Sequence, residues 1–117
     1  MGFLNKLFGR KPVEPSGMED HLVRVHLPMS EEKLDRCAEL EDLLGERVNA
    51  AGVGQLDGNE IGGGEYTIWL YGPQAVPLAE VVRHALEDQD LPAGSTMFMR
   101  HGGVNDRTAK EETWNLP

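Results

Sequence analysis

Two extended segments of this chain place recognition chemistry at every second residue. In residues 66–71 (Tyr-Thr-Ile-Trp-Leu-Tyr), side chains alternate across a strand, so Tyr66, Ile68 and Leu70 point one way and Thr67, Trp69 and Tyr71 the other. Val23, Val25 and Leu27 alternate in the same way with Arg24 and His26. With the aliphatic sets turned to a core, Arg24, His26, Thr67, Trp69 and Tyr71 share the opposite surface. Trp, Tyr and Arg are the residue types that dominate protein interfaces.

Other chemistry is sparse. His21, His26, His84 and His101 fall on four different elements with no His-x-x-x-His pair and no carboxylate at ligand spacing, so no metal is expected. His26 and His101 are the pair that neighbouring strands can bring together on the open surface. Cys37 is the only cysteine, which rules out an intramolecular disulfide and a one-chain thiolate cluster; its place in a helical stripe suits a small buried hydrophobe. No Ser sits in a nucleophile elbow. Glu60 and Glu65 flank a glycine loop as a candidate carboxylate pair, a pattern that in so acidic a chain is ordinarily solvated surface. With no nucleophile beside an oriented base, neither enzymatic activity nor a cofactor is expected. The glycines from Gly52 onward precede a strand and no Lys-Ser or Lys-Thr pair follows, so they read as hairpin chemistry and not as a phosphate loop.

The elements that must position these residues follow from length, charge and periodicity. A chain of 117 residues is one domain and can bury a core without metal or disulfide support. Its formal charge of −9 divides into +3 on the first twelve residues (Lys6, Arg10, Lys11) and −12 on the rest. A body so acidic repels phosphate backbones, which excludes nucleic acid and favours protein partners. Phe3, Leu4, Leu7 and Phe8 stand at helical spacing among the early cations, a short basic amphipathic segment suited to weak contact with an anionic membrane surface or a partner, or simply a frayed end. It lacks a hydrophobic region of signal-peptide length, so a cytoplasmic location is expected. Residues 1–20 thus form the segment and a Pro/Gly/Ser linker, and residues 21–117 the domain.

Within the domain, residues 21–27 predict a half-buried strand ended by Pro28. Ser30 predicts an N-cap, Met29 a staple onto Leu34, and Leu34, Cys37, Leu40, Leu44 and Val48 one apolar helical stripe closed by Gly52. Residues 53–56 predict a short strand, 57–64 a hairpin loop, and 66–71 a strand broken by Gly72-Pro73. Leu78, Val81, Val82, Ala85 and Leu86 predict a second helix with Pro77 in its first turn. A further strand spans 95–101, with Phe98 opposite Met97 and Met99, and residues 113–116 offer an extra C-terminal edge strand.

This order predicts an α+β, ferredoxin-like split βαβ sandwich: an antiparallel sheet with both helices on one face and the first and third strands in the middle. The chain also resembles small bacterial ferredoxin-like proteins without assigned function, through Gly-Val-Gly-x-Leu-Asp-Gly at 52–58, Gly-Gly-Gly-Glu-Tyr at 62–66 and Tyr-Gly-Pro at 71–73. That resemblance implies the fold and brings no site. The expected function is a non-enzymatic, acidic protein-binding module acting through the open sheet face, pairing first with itself as a homodimer. Two alternatives stay open: an immunity or inhibitor-type protein masking a basic toxin or nuclease site, and a small-ligand sensor using the sheet as a pocket floor. So does a third arrangement, in which the segment around Trp114 folds over the face and closes a second small core.

Overall fold

The computed structural model describes residues 20–116 and is α+β, a five-stranded antiparallel sheet with two helices. Strand β1 (His21–Pro28) leads through a 3₁₀ turn (Glu31–Lys33) into α1 (Leu34–Ala51). β2 (Gln55–Gly62) and β3 (Glu65–Gly72) form a hairpin, α2 (Ala75–Leu86) follows, and β4 (Thr96–His101) and β5 (Lys110–Asn115) close the chain. The spatial order is β2-β3-β1-β4-β5. The first and third strands are therefore adjacent, flanked by the second and fourth, and the C-terminal strand is added at the β4 edge. The early segment with Phe3, Leu4, Leu7 and Phe8 lies outside the described residues.

Period two decides which side of the sheet is dry. Val23, Val25 and Leu27 of β1, Tyr66, Ile68 and Leu70 of β3, and Met97 and Met99 of β4 point to one face, and all are buried. Cys37, Leu40, Leu44 and Val48 of α1 join Leu78, Ala79, Val82, Ala85 and Leu86 of α2 in the same core cluster, so both helices cover that face. Burying one such Leu or Val side chain contributes about 1.5–3 kcal/mol, which makes this layer the main source of stability.

Local chemistry explains where the elements begin and end. The α1 helix starts later than Ser30 predicts, because the chain enters through the 3₁₀ turn, in which the Lys33 N–H donates to the Ser30 carbonyl at 2.9 Å and the Ser30 side chain caps nothing. Leu34 consequently falls outside the apolar stripe and is 39% exposed. The helix does end at Gly52, which takes the left-handed conformation at φ 68°. The predicted loop over 57–64 is instead mostly strand. Its turn is only Gly63-Gly64, both at positive φ as a two-residue type I′ hairpin requires, and a register shift at Asp57 absorbs one residue. Gly54 and Gly72 let residues 53–54 cross the end of β3: a Cβ on Gly54 would sit 2.3 Å from the Tyr71 carbonyl oxygen, and one on Gly72 2.2 Å from that of Val53. Tyr66 ties the hairpin to α1 by donating its hydroxyl to Glu41, which also accepts from Asn59 at 2.8 Å. Burial first and that carboxylate second raise the Tyr66 pKa.

Candidate binding surface on the open sheet face

Among the described residues, no helix lies over the second face of the sheet. Register defines its rows. Arg24 of β1 pairs with Trp69 of β3 on one side and Phe98 of β4 on the other, so the three side chains stand abreast across the middle of the sheet. The row ends at Gly58 of β2 and Thr113 of β5. A Cβ at Gly58 would meet nothing within 4 Å, so the row ends in open space on the β2 side. The next row places Tyr71, Leu22 and Arg100 side by side, with Glu111 beyond them.

The Arg24 guanidinium is clasped by its neighbours. Its Cζ lies 4.2 Å from the centroid of the Phe98 ring and 5.1 Å from that of Trp69, both within cation–π range. The Nε atom is buried and has no hydrogen-bond partner among the described residues. Arg100 is differently occupied. It donates to Glu111 at 2.8 Å, and to the Gly103 and Asp106 carbonyls, and so pins the loop between β4 and β5 onto this face. Asp106 stiffens the same loop by accepting from the Thr108 amide at 3.0 Å and its hydroxyl at 2.7 Å, contacts that hold its carboxyl below the usual range. The loop carries Val104, 67% exposed, to the rim of a groove of about 420 Å³ floored by Leu22, Arg24, Trp69, Tyr71 and Phe98. Burial, and then the Asp57 carboxylate, raise the Tyr71 pKa against a smaller opposing effect of Arg24, so its phenol stays protonated and able to donate.

Strand parity turns all five residues expected on this surface to the same side of the sheet, in two groups, with Thr67 buried there at 7% exposure. Arg24, Trp69 and Tyr71 line the groove. His26 and Thr67 stand one row away in a separate polar cluster, where His26 Nδ1 lies 3.1 Å from Glu65 Oε1 and the Thr67 hydroxyl donates to the same oxygen at 3.4 Å. Glu65 therefore partners His26, not Glu60. The histidine pair does not form. His101 alternates with Arg100 and so faces the helix side, where its Nε2 is 2.7 Å from Glu112 and its ring meets His21 edge-on at 6.4 Å. That contact is the leading cause of the lowered Glu112 pKa. Among the described residues, no group of three or more His, Cys, Asp or Glu could hold a metal ion.

The segment around Trp114 does not cover the face. It is the edge strand β5, and Trp114 pairs with Met97 on the helix side, 36% exposed. Phe98 and Arg100 complete the site and were readable in principle, since the alternation that sends Met97 and Met99 inward sends them outward. The contribution of Val104 had no such signal, because a loop has no period. Comparison with protein-family models, curated proteins and solved structures finds no match to this chain. Among the described residues, no helix is long and apolar enough to cross a membrane.

Proposed function

We propose that this chain is a non-enzymatic cytoplasmic binding module that works through its open sheet face, and that its first partner is a second copy of itself. The fold reads as ferredoxin-like: two βαβ halves in the order β2-β3-β1-β4, with β5 appended at the edge, support that assignment. The observation that carries the functional reading is the uncovered row Trp69–Arg24–Phe98, three large side chains held abreast by strand register and already packed on one another. Such a row loses little conformational freedom when a partner arrives, which favours affinity.

Charge argues for a second copy as the occupant. At −9 the chain repels itself over most approaches. Among the residues lining the groove, Arg24 and Arg100 offset Asp20 and Glu111, so two acidic bodies repel one another less there than over most approaches. A face-to-face contact is also isologous, each copy burying the same rings. Sedimentation velocity over a wide concentration range tests the reading. The expected result is a reversible dimer that Trp69→Ala weakens by at least about tenfold, as loss of an interface aromatic anchor does. A parent chain that stays monomeric throughout contradicts it.

A further inference from the structure

We propose that the groove beside Arg24 binds a small carboxylate with a flat apolar body. This goes beyond self-association: it concerns the single copy, whose groove is open, and a ligand seated there would compete with a second copy for the same rings. Arg24 is the reason. Its charge is partly dehydrated between the Phe98 and Trp69 rings, and its buried Nε has no acceptor among the described residues. Buried polar atoms without a partner are uncommon and call for an explanation. A carboxylate is the acceptor that fits a guanidinium best, through paired, charge-assisted hydrogen bonds.

The surroundings select the class of anion. Arg100 is committed to Glu111, Gly103 and Asp106, which leaves Arg24 as the one guanidinium to receive a ligand and favours a single carboxylate over a more highly charged anion. Asp20 and Glu111 line the same groove and repel a dianion such as phosphate. The remaining walls are Leu22, Tyr71, Phe98 and Val104, apolar or aromatic surfaces suited to a planar ring, and a volume of about 420 Å³ is ample for a small organic acid. Trp69 touches Arg24 and so reports on occupancy directly.

The test is a fluorescence titration at protein concentrations below the association range, in a Trp114→Phe background where Trp69 is the sole tryptophan. Benzoate is the probe, benzamide its uncharged counterpart, and inorganic phosphate the competing anion. A saturable change in Trp69 emission with benzoate, at least about tenfold weaker for benzamide and for Arg24→Gln, supports the site. Should Arg24→Gln fold poorly, the melting temperature of the parent decides: benzoate raises it and benzamide does not. The proposal is overturned by the absence of any saturable response to benzoate up to about 10 mM. An equal response to benzamide, or phosphate binding as tightly as benzoate, overturns it too. Both the titration and the melts are made on the single copy, below the association range, so failure here is separable from failure of the self-association reading.

Discussion

The two faces of this sheet are built from the same three strands and differ in what their alternate residues are asked to do. On the helix side, Val23, Val25, Ile68, Leu70, Met97 and Met99 are aliphatic or thioether groups at 0–1% exposure, filling space between the sheet and two helices. On the other side, Leu22, Arg24, Trp69, Tyr71, Phe98 and Arg100 are larger and partly polar, and they remain only partly buried. One face is packed to completion. The other is held rigid by neighbouring strands yet left with aromatic area and a buried guanidinium nitrogen that has no hydrogen-bond partner among the described residues. The contrast separates residues that make the fold from residues that the fold presents.

That separation can be broken by mutation, beginning with adjacent residues of β3. Leu70→Ala should lower unfolding free energy by about 2–5 kcal/mol, because it opens a cavity in a closed core. Trp69→Ala, one residue away on the open face, should cost only about 1–2 kcal/mol while abolishing most self-association. Chemical denaturation of the two variants checks this; equal losses would mean that the open face is a second core. Gly54→Ala probes the support of the site and not the face itself. Its new methyl meets the Tyr71 carbonyl, so a loss of about 1–3 kcal/mol is expected, with Tyr71 displaced in the groove.

A smaller effect concerns the anchor between α1 and the hairpin. Tyr66 has a pKa raised above its unfolded value near 10, so its stabilising effect is whole below that pH and is lost as pH rises beyond it. Tyr66→Phe should cost about 1–2 kcal/mol at neutral pH and flatten the alkaline fall in stability. A parent whose melting temperature does not decline above pH 10 would remove Tyr66 from this role. The smallest effect is expected at Arg24. Arg24→Met keeps much of the side chain's length and removes an unsatisfied buried donor, so stability should stay within about 1 kcal/mol of the parent or rise slightly. A large loss in denaturant melts would recast Arg24 as a structural residue.

Much of this architecture was legible because period two and period 3.6 leave clear marks. Val23-Arg24-Val25-His26-Leu27 declares both a strand and its two faces, and Cys37, Leu40, Leu44 and Val48 declare a helix and its buried side. The glycine stretch misleads for a physical reason. Apart from Ile61, residues 57–62 are polar or glycine because β2 is an edge strand exposed to water, so composition suggests a loop where backbone pairing with β3 makes a strand. The histidine pair failed on parity, since His101 is one residue out of phase with the open face. The groove itself needed coordinates, because the loop that raises Val104 over the sheet is set by Arg100 reaching back to the Gly103 and Asp106 carbonyls.

The most direct test maps where two copies touch. Amide chemical shifts recorded across a dilution series should move at Leu22, Arg24, Trp69, Tyr71 and Phe98, and stay fixed at exposed helix positions such as Glu39 and Arg83. Shifts that never change with concentration, or that change on the helices and leave the open face untouched, would contradict the account.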